Sequence, residues 1–161
     1  MKNEPETKPS APSSTRRDFL GKSAAVTAAS SIVLPASLSA QVEGNSTLKL
    51  GLVGCGGRGS GAANQNLTTK GTKLVAMGDV FRDRMDNTYD MLTKRHTDAV
   101  EVPEENKFIG FDAYLKVIEM SDVVILATPP GFRPMMFEAA VEAGKHVFME
   151  KPVCTDAAGY R

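Results

Sequence analysis

From Leu48 onward, short apolar runs alternate with longer stretches in which apolar positions recur every three or four residues. Leu48-Lys49-Leu50-Gly51-Leu52-Val53 is an apolar run bounded by turn residues, the pattern of a strand buried in a parallel sheet. A glycine-rich turn follows, then a helix-compatible segment over 60–67, a turn at Gly71 and a second apolar strand over 73–79. Over 82–96, Met85, Tyr89, Leu92 and His96 fall on one helical face. The acidic segment 98–107 reads as a loop around Pro103, and Phe108-Ile109 as a short edge strand. Asp112 suits the N-cap of a helix carrying Tyr114, Leu115 and Ile118. Asp122-Val123-Val124-Ile125-Leu126-Ala127 is apolar on both faces, as an internal strand is. A helix over 134–143, stopped by Gly144, leads to a last strand over 146–149. This alternation predicts an α/β fold, a doubly wound parallel sheet of the Rossmann type with right-handed crossovers.

The first forty residues have no such pattern. Residues 1–14 are rich in Pro, Ser, Lys and Glu, too polar to bury a core, and are expected to be disordered. Thr15-Arg16-Arg17-Asp18-Phe19-Leu20-Gly21-Lys22 comes next, then an uncharged, Ala-rich stretch over 23–38 broken by Pro35, with small residues Ser37, Ser39 and Ala40. The stretch is too short and too poor in large apolar side chains to span a bilayer, and Pro35 would end a helix. It resembles a bacterial twin-arginine signal peptide with cleavage near 37–42, which implies the twin-arginine translocase as a partner and a periplasmic or otherwise exported protein. A polar spacer over 41–47 separates it from the first strand.

Composition changes this picture little. An apolar fraction of 42% with 24% charged residues is that of a globular domain. Lys plus Arg and Asp plus Glu both total 19, so net charge gives no reason for nucleic acid or anionic membrane to bind. Cys55 and Cys154 are too few and too far apart for a zinc site or a disulfide framework, and both read as free thiols; no metal is expected.

The candidate chemistry begins where the first strand ends. Gly54-Cys55-Gly56-Gly57-Arg58-Gly59 is G-x-G-x-x-G between a strand and a helix. Gly54 permits a tight turn, Gly56 lets the backbone approach a diphosphate, and Gly59 lets helix and strand pack closely. The anion would rest on the helix N-terminus, with its free N–H groups and favourable dipole. Asp79, closing the second strand, is placed to accept from ribose hydroxyls. It would repel a 2′-phosphate, which favours NAD; Arg82 and Arg58 could instead pair with one, so NADP stays open. S-adenosylmethionine methyltransferases also join a glycine loop to an acid at the second strand's end, and the segments further along decide against them.

Those segments are the strand end Ala127-Thr128-Pro129 and the run Ala139-Ala140-Val141-Glu142-Ala143-Gly144-Lys145-His146-Val147-Phe148-Met149-Glu150-Lys151-Pro152. With the glycine loop they resemble the Gfo/Idh/MocA oxidoreductases, named for glucose-fructose oxidoreductase and inositol dehydrogenase, over essentially all of 48–161. The resemblance implies a cofactor site of Gly54, Gly56, Gly57, Arg58, Gly59, Asp79, Arg82, Thr128, Pro129, Glu150 and Lys151. Lys151, of the family's E-K-P motif, would be catalytic: it would lie beside the nicotinamide, sheltered from water, orient substrate and assist transfer of the hydroxyl proton. Glu150 would hold the lysine or the cofactor ribose, and Pro152 would fix the turn, with a cis bond as one way to do so. Many relatives have Asn after Thr-Pro and His three positions later, where this chain has Pro130 and Arg133.

The resemblance divides the chain into a signal peptide (1–40), a spacer (41–47), a dinucleotide-binding domain (48–155) and the start of a second, substrate-binding domain (156–161). With that second domain essentially missing, a truncated product or a fragment is expected, one that binds dinucleotide but turns over no sugar, and an oligomer is expected only if the domain is present. The reading is the nicotinamide-dinucleotide-binding half of an exported oxidoreductase acting on a sugar or polyol. Its alternatives are a noncatalytic dinucleotide-binding fragment and an NAD-dependent glycosidase, against which Lys151 counts.

Overall fold

The computed structural model describes residues 47–161; the expected signal peptide over 1–40 and the spacer up to residue 46 lie outside the described residues. Strands β1 (Leu48–Val53), β2 (Thr72–Asp79), β3 (Lys107–Ile109), β4 (Val123–Leu126) and β5 (His146–Met149) form one parallel sheet in the order β3-β2-β1-β4-β5. They are joined by helices α1 (Gly57–Asn66), α2 (Arg82–Arg95), α3 (Ala113–Met120) and α4 (Arg133–Glu142), and a short α5 (Ala157–Tyr160) follows β5. The chain begins on the middle strand, steps outward to β3, then returns to the other side of β1. This is the doubly wound Rossmann sheet that the alternation predicts.

Successive strand residues face opposite sides of the sheet, so each apolar run feeds two cores. Leu50, Leu52, Leu74, Met77 and Ile125 pack with Ala62 and Ala63 of α1 and Met85 and Leu92 of α2. Val53, Ala76, Val124 and Leu126 pack with Val117 and Ile118 of α3 and Met136 and Ala140 of α4. Each fully buried Leu, Ile or Met contributes roughly 1.5–3 kcal/mol. A register shift keeps β2 in phase: Leu50 pairs with Leu74 but Gly51 with Ala76, leaving Val75 as the extra residue, its carbonyl accepting from the Asn106 amide at 2.9 Å. Gly51 has a packing reason, since a Cβ there would stand 2.1 Å from Ser121 Oγ and 2.5 Å from Val117 Cγ1.

Three expectations shift. The first helix begins at Gly57 rather than residue 60, inside the glycine loop itself. The acidic loop contains a short 3-10 turn at Glu104–Asn106. Asp112 does precede α3, but its carboxylate makes no capping bond, because its backbone (φ −91°, ψ 1°) is outside the extended region from which a cap reaches back. Gly144 ends α4 as expected, with φ at +68°.

Candidate functional site

Because all five strands are parallel, the loops that follow β1, β2, β4 and β5 gather at one edge, on either side of the point where the strand order reverses. They enclose a cleft of about 640 Å³. Gly54, Gly56, Gly57, Arg58, Asp79, Thr128, Pro129, Glu150 and Lys151 all line it, although 97 positions separate the first from the last. Gly59 and Arg82 do not.

The glycines divide by cause. Gly54 has φ +91°, and a Cβ there would lie 2.8 Å from the Ala127 carbonyl carbon, so both turn and packing demand glycine. Gly59 is a packing residue rather than a cleft residue: an added Cβ would come within 1.8 Å of the Gly54 carbonyl oxygen. Gly56 is different. Its φ of −76° and ψ of −176° are open to any residue, and a Cβ there would meet nothing within 4 Å. Neither backbone nor packing asks for glycine, so what its absent side chain leaves free is space in the cleft. Gly57 shares that openness. The N–H groups of the first turn of α1 have no acceptor within the helix, the first being Ser60 N–H to Gly56 O at 2.9 Å. An open cradle in front of free N–H groups fits a diphosphate.

Cys55 locks this loop in place. Its N–H donates to Asp79 Oδ2 at 2.6 Å, its carbonyl accepts from Thr88 Oγ1 at 2.7 Å, and its thiol donates to Gly78 O at 3.7 Å. Burial pushes the thiol far above its ordinary range, with the nearby Asp79 charge adding to the effect. Asp79 Oδ1 accepts from Phe81 N–H at 2.9 Å. The carboxylate thus braces two loops, and each oxygen keeps a lone pair for a ribose hydroxyl.

Arg82 is a correction. It does not line the cleft: Nε bonds both oxygens of Asp86 at 3.0 Å and Nη2 pairs with Glu104. The arginine at this end of the cleft is Arg84, whose guanidinium lies 4.8 Å from the Phe81 ring centroid. Phe81 joins Phe111 and Phe132, whose ring centroids are 5.9 Å apart, in an exposed aromatic rim. An adenine ring has the flat apolar face that such a rim accepts.

At the other end, β5 delivers Glu150, Lys151 and Pro152, and the Lys151–Pro152 bond is cis. Glu150 does not hold Lys151; its carboxylate, 9% exposed, accepts from Arg58 Nη2 at 2.7 and 2.9 Å. That bond, more than the opposing effect of desolvation, holds Glu150 below the usual carboxylate range. Lys151 is exposed at the cleft's mouth rather than sheltered from water, because among the described residues no element packs over it. Arg133 is buried: Nε donates to Thr128 O at 2.7 Å, and Nη1 donates to both Glu150 O and Pro152 O. Sequence reasoning missed Thr88, Arg84 and this role of Arg133. Thr88 lies within the predicted helix, one residue from Tyr89, and an interior Thr in a helix is the one available signal.

The Gfo/Idh/MocA profile, described as an oxidoreductase family with an NAD-binding Rossmann fold, matches residues 48–161. The chain belongs to this family, and the cleft lies in its NAD(P)-binding domain. Among individual relatives, a "Glycosyl hydrolase family 109 protein" of Porphyromonas gingivalis is 33% identical over 109 residues, 66% of this chain and 22% of that protein. The scyllo-inositol dehydrogenase of Lactobacillus casei, solved with NAD(H) and scyllo-inositol, is 33% identical with a TM-score of 0.53, over 70% of this chain and 30% of that one. A mutant 3-ketoreductase from Actinomadura kijaniata, solved with TDP-benzene and NADP, is 26% identical with a TM-score of 0.51, over 70% and 31%. The chain therefore spans between a fifth and a third of the length of the proteins it matches.

Proposed function

We propose that this chain is the nicotinamide-dinucleotide-binding half of an oxidoreductase that exchanges a hydride with a hydroxyl-bearing carbon of a sugar, polyol or related compound. The observation that carries it is Gly56, a glycine required by neither fold nor packing, opening onto free helix N–H groups. Gly56, Gly57 and the first turn of α1 bind the diphosphate; Asp79 accepts from the adenosine ribose; the aromatic rim holds the adenine. Thr128 and Pro129 form the floor toward the reacting end. The nicotinamide, when bound, supplies the hydride acceptor or donor. Lys151 Nζ, at the cleft's mouth, orients the substrate hydroxyl and takes or returns its proton. Glu150, in reach of Arg58, orients the reacting end with it. Asp79's charge favours NAD over NADP, and Arg84 rather than Arg82 is the residue that could meet a 2′-phosphate.

The similarity to glycosyl hydrolase family 109 proteins favours a second reading, a glycosidase working through transient oxidation. Lys151 counts against it. The test is to offer the protein expressed from its own gene NAD with inositols and sugars, and separately nitrophenyl glycosides. Steady reduction of NAD by a polyol supports the first reading; release of nitrophenol without net reduction supports the second.

The leader supports a further proposal, that the protein is exported through the twin-arginine route. The route carries folded proteins, so the dinucleotide would be loaded in the cytoplasm and retained through a self-resetting reaction. Replacing Arg16 and Arg17 by Lys, which lacks the planar guanidinium, should leave the precursor in the cytoplasm. Undiminished export of that double variant, or an empty cofactor site in the exported protein, would overturn this proposal.

A further inference from the structure

Arg133 opens α4, is 5% exposed, and bonds no carboxylate among the described residues. Its acceptors are three carbonyl oxygens in two separate loops. Nε reaches Thr128, in the loop after β4, at 2.7 Å, while Nη1 reaches Glu150 and Pro152, the residues on either side of Lys151. Burying a guanidinium is costly, and burial here pulls Arg133 below the usual arginine range. Stability alone would be served as well by an apolar residue at this point in the helix, so the charge must be accounted for by where its donors point. A guanidinium is planar and its donors have fixed directions. With the carbonyls before and after Lys151 converging on one nitrogen, the lysine's backbone cannot turn without losing a charge-assisted bond. The third acceptor ties that turn to the Thr128-Pro129 loop at the end of the neighbouring strand β4.

We infer that Arg133 is a positioning residue: it sets Lys151 against the Thr128-Pro129 loop and so shapes the nicotinamide end of the cleft, acting through these backbones. Of the residues at the adenosine end, Asp79, Phe81, Arg84 and Phe111 lie outside the two loops that Arg133 ties together, and none of them accepts from it. The inference rests on the dinucleotide reading above, and two ligands separate the two. ADP occupies only the adenosine and diphosphate part; NADH also fills the nicotinamide part.

The experiment titrates the full chain and its Arg133→Lys and Arg133→Met variants with ADP by calorimetry and with NADH by the fluorescence of its nicotinamide. Lys keeps the charge and a bond to the nearest carbonyl but cannot fork across both loops. Both variants should bind ADP within about twofold of the parent and NADH at least about tenfold more weakly, with a changed emission from the bound nicotinamide. Should Arg133→Met fail to fold, Arg133→Lys carries the test alone. Equal loss of both ligands, or loss of neither, overturns the positioning role. A parent chain that binds neither ligand overturns the reading of the cleft and this inference with it.

Discussion

Glu150 presents both carboxylate oxygens to one nitrogen of Arg58, at 2.7 and 2.9 Å, joining the end of β5 to the first turn of α1 across 92 positions of sequence. Both residues line the cleft, and the ion pair links the first turn of α1 to the end of β5. Arg58 is 75% exposed, so a diphosphate entering the cradle can compete for it.

The pair has a pH signature. Glu150 is held below the ordinary glutamate value of about 4.3, so the pair's contribution to stability is complete above that value and is lost as pH falls through the depressed one. Thermal melts from pH 7 down to pH 3 should show the parent losing more stability over this range than Glu150→Gln. Parallel curves for the two proteins would contradict the pairing.

Thr88 should matter to the glycine loop although it never meets the cofactor. Thr88→Val keeps the shape and removes the hydroxyl from the buried Cys55 carbonyl, at a cost of roughly 1–3 kcal/mol in denaturant unfolding. Thr88→Ser should recover most of it. A Val variant as stable as the parent would show that the bond holds nothing.

Cys55 should be chemically silent. With its thiol buried and raised by desolvation, a disulfide reagent at neutral pH should modify Cys154 in the folded chain and reach Cys55 only in denaturant. Two thiols reacting at one rate before unfolding would mean the glycine loop is open.

Cofactor choice should turn on Asp79. Asp79→Asn removes the charge that repels a 2′-phosphate and one acceptor from the loop. NAD should bind about tenfold more weakly while the ratio of NAD to NADP affinity falls. Calorimetry with both cofactors reads this directly, and an unchanged ratio would move discrimination away from Asp79.

What was legible in the sequence was contiguous. Gly54 to Gly59 and Glu150 to Pro152 each state their chemistry in a few adjacent letters, and strand periodicity places both at the same sheet edge. Arg133 and Thr88 were not legible, because their partners are backbone carbonyls, which every residue has. Arg82 was misread for a reason the sequence did contain: Asp86 stands four residues on, the spacing of a helical ion pair, and claims it. Arg84, two positions along the helix and some 200° around it, lies toward the cleft instead. The start of α1 at Gly57 was hidden because glycine carries almost no helix signal.

The central claim, that the cleft in front of Gly56 is a dinucleotide site, is tested most directly by titrating NAD into the parent chain and Gly56→Val by calorimetry, with a thermal melt of each. The variant should melt within about 5 °C of the parent, since a Cβ there meets nothing within 4 Å and only the N-cap preference for glycine is lost, yet bind NAD at least about a hundredfold more weakly, because the side chain fills the diphosphate's place. Equal NAD binding by the two proteins, or no binding by the parent, would contradict it.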